Sequence, residues 1–242
     1  MTPHAFLLPV VAMAIATYAS AFKDGKPTCD RYVLNTYMYA VTYMFTLAWF
    51  TAWLMGHPKL LESIDLVKLL AIFLVYLASY FAVMFIPKDM VLLKHMCSVL
   101  WVAVSSVLLA AVFIFFQTKS IMTAVLLSAV LFVALTLFVF RFPERISSHV
   151  SWVFLVVFVV MIIAEFVVGM FYPSSILEKA VILAVLMLIC YIVLVRTKRI
   201  IEEGASCKQP DYPKESVGLV LSFENILLRV LELFGKRKLR LR

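Results

Sequence analysis

The chain has 242 residues, of which 64% are hydrophobic and 15% charged, and its mean hydropathy is +1.04. Soluble domains contain roughly 45 to 50% apolar residues, and a domain of this size could not hide so much apolar surface from water. We therefore expect an integral membrane protein, which excludes soluble nucleases, soluble kinases and secreted disulfide scaffolds. The net charge of +8 then reflects membrane topology, and no nucleic-acid partner is expected.

Long apolar stretches predict the membrane helices in chain order. They cover residues 5–22, 33–55, 69–86, 96–116, 121–140, 150–172 and 176–195, each near the ~20 residues that cross a bilayer. A weaker eighth stretch covers 217–234, and breaks with proline, glycine or charged residues separate the stretches. The sequence therefore predicts an all-α fold: a polytopic membrane helical bundle of about seven transmembrane helices, in a single integral membrane domain over 1–242.

Within this domain we expect a retained extra amino-terminal helix at 5–22, because no lysine or arginine precedes it as in a signal peptide. The helical bundle proper covers 33–195. The four cysteines, at 29, 97, 190 and 207, have no metal-binding or CxxC spacing, and two lie inside apolar stretches. We therefore expect buried or reduced thiols, no metal site and no cofactor.

Lysine and arginine residues are distributed unequally between alternate breaks. One side carries twelve of them and the other four, and the positive-inside rule places the richer side in the cytosol. The basic tail at 235–242 joins that side only if 217–234 does not fully cross. We therefore predict a broken or re-entrant last helix and a cytosolic carboxy-terminal tail, which would also attract anionic membrane lipids.

The carboxy-terminal third carries a recognisable pattern. From Phe171 it reads FYPSSILEKAVILAVLMLICYIVLVRTKRIIEEG, and from Asp211 it reads DYPKESVGLVLSFENILLRVLELFG. The Pro-Ser-Ser turn at 173–175, the Thr197 region with its Arg-Ile-Ile, and the Asp-Tyr pair resemble the end of the transmembrane Bax inhibitor motif family in order and spacing. The resemblance implies a seven-helix fold, residence in the endoplasmic reticulum or other internal membranes, and calcium leak that dampens apoptosis.

The chain departs from this family at two positions. In the family, one aspartate at the end of the sixth helix and one in the last helix form a carboxyl pair whose shared proton gates the pore. Here those positions read Arg196 and Ser222, so gating by a carboxyl pair is not expected. This divergence, together with the added amino-terminal helix, resembles the cytomegalovirus seven-transmembrane branch, whose members form calcium-permeable pores or alter the display of host immune ligands.

Acidic residues inside apolar helices are candidates for function, because inserting them costs a few kcal/mol. Glu165 is either a structural partner for a neighbouring helix or a cation site in the bundle interior. In the last helix, polar residues recur at steps of four and three along one face: Glu215, Gly218, Ser222, Asn225, Arg229 and Glu232. We expect the last two of these to pair locally.

Glu224 interrupts that pattern and lies on the opposite, apolar face of the helix. We hypothesise that Glu224 or Glu165 faces Arg196 in an ion pair that replaces the aspartates and holds the pore in one state. Ser222 and Asn225 complete the candidate ion pathway.

Two functions compete. The first is an ion-leak channel of internal membranes with calcium ions as the permeant species, although Arg196 would repel a divalent cation. The second is a non-conducting viral membrane adaptor that binds and redirects host immune or signalling membrane proteins, which the loss of both aspartates favours. We do not expect an enzyme, since no paired aspartates or Ser/His constellation lies in the membrane stretches.

Overall fold

The computed structural model of the protein describes residues 4–147, 152–171 and 176–236. The fold is all-helical and polytopic, as predicted, and five of the described helices are long and apolar enough to cross a membrane: Tyr32–Met55, Leu66–Phe85, Val91–Phe113, Thr118–Arg141 and Ile176–Ala205. The helices are α1 His4–Ala21, α2 Tyr32–Met55, α3 Pro58–Glu62, α4 Leu66–Phe85, α5 Val91–Phe113, α6 Thr118–Arg141, α7 Trp152–Phe171, α8 Ile176–Ala205 and α9 Tyr212–Phe234. A 3₁₀ turn covers Pro143–Arg145.

A two-stranded hairpin between α1 and α2 was not predicted. Its strands, β1 Phe22–Lys23 and β2 Lys26–Pro27, pair in antiparallel fashion around Asp24 and Gly25. Both turn residues have positive φ angles, 53° and 74°, as a two-residue hairpin turn requires. The Asp-Gly pair therefore forms a hairpin turn, whereas the sequence predicted only a break between two helices.

The last two helices differ from the prediction in length and continuity. α8 continues to Ala205, so Arg196 lies inside the helix and not at its end. α9 is one continuous helix from Tyr212 to Phe234 with Pro213 in its first turn, where proline is tolerated. A broken last helix is therefore wrong, whereas the prediction that this helix does not fully cross the membrane stays a prediction.

The chain divides into two compact units. Unit 1 extends to Phe115 and includes Gly204–Val220. In it α1 packs against α2, and α5 packs against both α2 and α4. Small polar side chains join these helices, as is typical of helix packing in membranes: Thr17 and Thr42 hydroxyls lie 3.0 Å apart, and Tyr43 and Ser98 hydroxyls 2.7 Å apart.

Unit 2 holds Phe116–Glu203 and the residues from Leu221 onward. Aromatic contacts join its helices, with Phe132 of α6 edge-on to Phe223 of α9 and Phe154 of α7 tilted against Tyr191 of α8. The predicted Pro-Ser-Ser turn at 173–175 and the basic residues of the tail after 236 lie outside the described residues. The single integral membrane domain stays a prediction.

Candidate functional site

A cluster of three charges joins α7 and α9 in unit 2. The Arg229 Nη1 contacts Glu165 Oε1, and the same nitrogen lies 2.7 Å from Glu232 Oε2. The side chains of Arg229 and Glu165 are 16% and 14% exposed. The local pairing of Arg229 with Glu232 is thus confirmed. Glu165 also contacts a base on another helix, and its role as a structural partner or as a cation site stays a prediction.

The α7 helix turns Glu165 away from its most exposed face. Ile163 and Val167, two residues to either side, are 57% and 41% exposed, as expected of side chains that contact lipid. Glu165 lies on the less exposed side, because residues two positions apart are about 200° apart around a helix. A carboxylate there requires a counter-charge, since an unpaired charge is costly in a low-dielectric interior.

The cluster as a whole carries one negative charge in excess, because two carboxylates share one guanidinium. Within the described part of the chain, the Arg229 Nε is buried without a hydrogen-bond partner. The guanidinium is therefore held from one edge only, through Nη1. Such a charge can be displaced by a competing cation more readily than one held by a bidentate pair.

Arg196 was predicted to face Glu165 or Glu224. It is half-buried in α8, and among the described residues its Nε is buried without a hydrogen-bond partner. Glu165 instead contacts Arg229, because α9 is the helix that presents a base to it. Glu224 is 6% exposed, so it remains the carboxylate that could face Arg196, and this pairing stays a prediction.

The polar face of α9 is not a solvated stripe. Glu215 and Ser222 are only 2% and 5% exposed, and Asn225 Nδ2 donates to the carbonyl of Leu221 within the same helix, at 2.8 Å. Exposure rises toward the end of the helix, where Glu232 reaches 37%. Of the candidate pathway residues, Ser222 is therefore buried and Asn225 is half-buried, and the pathway stays a prediction.

A second charged pair lies in unit 1 and was missed in the sequence, where Lys94 is one of the twelve basic residues counted on the richer side of the membrane. Its Nζ lies 2.6 Å from Asp211 Oδ2, and the side chains are 3% and 6% exposed. Lys94 also donates to the carbonyl of Ile86 at 2.9 Å. The pair fixes the residue that precedes α9 to the first turn of α5. The signal in the sequence for this buried pair was an isolated lysine in an apolar stretch, which requires a counter-charge.

Tyr212, which follows that aspartate, anchors the start of α9. Its side chain is 1% exposed, and its ring stacks on Tyr39 with centroids 5.3 Å apart. Its hydroxyl donates to the carbonyl of Thr28, and Asn35 Nδ2 donates to it at 3.3 Å. The Asp-Tyr pair that carried the family resemblance therefore serves to fix α9 to α2 and α5 in unit 1.

The expectation for the cysteines is wrong for two of the four. Cys29 and Cys207 form a disulfide between the connection that precedes α2 and the connection between α8 and α9. Sequence spacing could not reveal it, because 178 residues separate the partners and only the fold brings their connections together. Cys97 and Cys190 are free thiols within α5 and α8.

A family model matches most of the chain. The family model described as "Bax1-I: Inhibitor of apoptosis-promoting Bax1" matches residues 29–238. No curated protein and no solved structure matches the chain, so nothing in these comparisons points to the cytomegalovirus branch. Among the residues that the structure describes, no group of three or more His, Cys, Asp or Glu side chains is arranged to hold a metal ion.

Proposed function

The chain belongs to the Bax inhibitor family of non-enzymatic, multi-pass membrane proteins, and from this premise we propose that it is a calcium-leak channel. It would release calcium from an internal store such as the endoplasmic reticulum, lower the store and so dampen apoptosis. The observation that carries the proposal is Glu165. It is a carboxylate in an otherwise apolar helix, neutralised by a single arginine on α9.

The Glu165–Arg229 contact supplies a gate without the family's carboxyl pair. While Arg229 contacts both carboxylates, the cluster offers a divalent cation only one negative charge in excess. When the guanidinium moves away, Glu165 and Glu232 both become available to a passing calcium ion. Two unit charges 4 Å apart attract by about 4 kcal/mol at an effective dielectric constant of 20, so Arg229 is a strong but displaceable competitor.

Glu224 and Arg196 supply a second charged position on the same pathway. The position of Arg196 corresponds to one family aspartate and Ser222 to the other. The carboxylate of Glu224 would therefore supply a negative charge close to Ser222, where the family has an aspartate. In this proposal Ser222 and Asn225 contribute polar atoms that replace part of the ion's hydration.

Calcium release from liposomes that contain the purified full chain tests the proposal. We expect the leak to fall when Glu165→Gln or Glu224→Gln removes a pathway carboxylate, and to change when Arg196→Asp restores the family charge. The matched control is Glu144→Gln, which removes an exposed carboxylate in the 3₁₀ turn, outside the α-helices. A leak that all these variants share with the wild type would refute the assigned pathway.

The alternative is a non-conducting adaptor that redirects host immune or signalling membrane proteins. Arg196 and Ser222 favour it, because both gating aspartates are replaced. The absence of any leak in liposomes with correctly inserted wild-type protein would select this alternative. Crosslinked partner capture from cells, compared between the wild type and Glu165→Gln, would then follow, since removing a pathway charge should leave adaptor binding intact.

A further inference from the structure

The Cys29–Cys207 disulfide joins two connections that the basic-residue count places on one side of the membrane. Cys29 lies between β2 and α2, and Cys207 lies between α8 and α9. A third connection from that side, between α4 and α5, reaches the same place, because Lys88 Nζ lies 3.4 Å from the carbonyl of Gln209. The structure thus groups these connections on one face of unit 1.

This face carries more exposed basic than acidic side chains, although Asp30, directly after Cys29, is exposed as well. Lys26, Arg31 and Lys208 flank the two cysteines in sequence, and all three side chains are exposed. The positive-inside rule assigns such a face to the cytosol. Disulfides that form in the cytosol are usually transient, catalytic or redox-sensing, because the compartment keeps thiols reduced. Neighbouring cations also favour the thiolate form of a cysteine, which is the form that exchanges.

We propose that Cys29–Cys207 is a reversible redox latch, opened by exchange with a cytosolic dithiol reductant of the thioredoxin class. A thiolate of the reductant attacks one sulfur, forms a mixed disulfide and releases the other cysteine as a thiolate that takes up a proton. The reductant's second thiol then attacks the mixed disulfide and releases the first cysteine. The protein gains two electrons and two protons, and the reductant leaves as a disulfide.

The latch controls the short connection between α8 and α9. Ser206, Lys208 and Gln209 of this connection are exposed, and Cys207 is half-buried. After reduction, the connection is still anchored at its end by the buried Asp211 pair with Lys94. Opening the latch should therefore release 206–210 without unfolding the unit.

Trypsin cleavage after Lys208 measures this release. The full chain is placed in lipid nanodiscs, with Cys97→Ser and Cys190→Ser in every sample so that only the latch cysteines react. We expect reduction to speed cleavage after Lys208 about tenfold, since local opening governs access to a protected segment. Cleavage after Lys59 in α3, which no disulfide constrains, serves as the internal control and should not change.

The double variant Cys29→Ser with Cys207→Ser is the matched control for the chemistry. It should be cleaved as fast as the reduced protein, with or without reductant. Equal cleavage rates of oxidised and reduced wild type after Lys208 would overturn the latch, as would a variant that is cleaved as slowly as the oxidised protein.

Sidedness is tested in cells whose plasma membrane alone is permeabilised. A membrane-impermeant maleimide should label both latch cysteines after treatment with thioredoxin and its reductase, and should label neither after oxidation with diamide. Labelling that appears only once the internal membranes are opened would overturn the proposal and identify a structural lumenal disulfide. Neither experiment depends on calcium, so failure of the latch and failure of the leak can be told apart.

Discussion

The buried pair between Lys94 and Asp211 allows the sharpest test of how α9 is anchored. Replacing Lys94 with Met keeps most of the apolar stem of the side chain and removes the charged ammonium group with its N–H donors. Asp211 then retains one weak contact, from the backbone N–H of Lys214 at 3.4 Å. The carbonyl of Ile86 also loses the donor that it has at 2.9 Å.

The expected loss follows from burial. The two side chains are 3% and 6% exposed and their charges lie 2.6 Å apart, so water cannot replace the lost partner. Removing one member of a buried pair typically destabilises a protein by about 3 to 5 kcal/mol, because the other charge is left uncompensated. For Asp211→Asn we expect about 2 kcal/mol, since the amide oxygen can still accept from the lysine.

A double-mutant cycle isolates the pair from its surroundings. Lys94→Met with Asp211→Asn leaves no buried charge, so its loss should be smaller than the sum of the single losses by about 2 kcal/mol. Free energies of unfolding are measured by titrating detergent-solubilised protein with sodium dodecyl sulfate and following helicity. Lys68→Met is the matched control, because its pair with Asp65 is 59% and 61% exposed and should contribute little.

Two results would refute this reasoning. A Lys94→Met protein as stable as the wild type would mean that the pair does not hold α9. Single effects that add in the double variant would mean that each residue acts through other contacts and not through the pair.

Three further predictions concern single positions. The Lys68 backbone N–H holds the pKa of Asp65 below its ordinary value of 3.8. The Asp65 carboxylate therefore stabilises the start of α4 above that value, and this stabilisation is lost as the pH falls through the lowered pKa. Hydrogen exchange in the first turn of α4 should show this pH dependence, and Asp65→Ala should abolish it. A Cβ at Gly204 would lie 3.0 Å from Val33 Cγ2, so Gly204→Ala should lower stability by about 1 to 3 kcal/mol in the detergent titration, and an unchanged value would show that the site can adjust. The predicted cytosolic tail is tested with a biotin acceptor tag placed after Lys236, whose backbone N–H donates to Ser120 Oγ at the start of α6. We expect labelling from the cytosol, and labelling from the side of the α5–α6 connection would refute the prediction.

The positions of the long helices could be predicted closely from sequence. In a bilayer every backbone N–H and C=O must find its partner within the segment, so hydropathy and length alone define a helix. The predicted stretch 33–55 became Tyr32–Met55, and 121–140 became Thr118–Arg141. The prediction failed where a helix leaves the apolar region, as in α8, which continues for ten residues past 195. There charged residues continue the helix, stabilised by i,i+4 pairs such as Lys198–Glu202 at 3.1 Å.

The sequence by itself also determined the family, through the Asp-Tyr pair and its neighbours, and the local pairing of Arg229 with Glu232, because both depend on residues close together in the chain. Only the tertiary structure decided which distant residues meet. The contact of Glu165 with Arg229, the pair of Lys94 with Asp211 and the Cys29–Cys207 disulfide each join segments far apart in sequence. Apolar helices of similar composition can pack against one another in many orders, so composition and periodicity do not identify the neighbours of a buried charge. The neighbours of a buried charge are determined by the packing between helices, which a single sequence does not show.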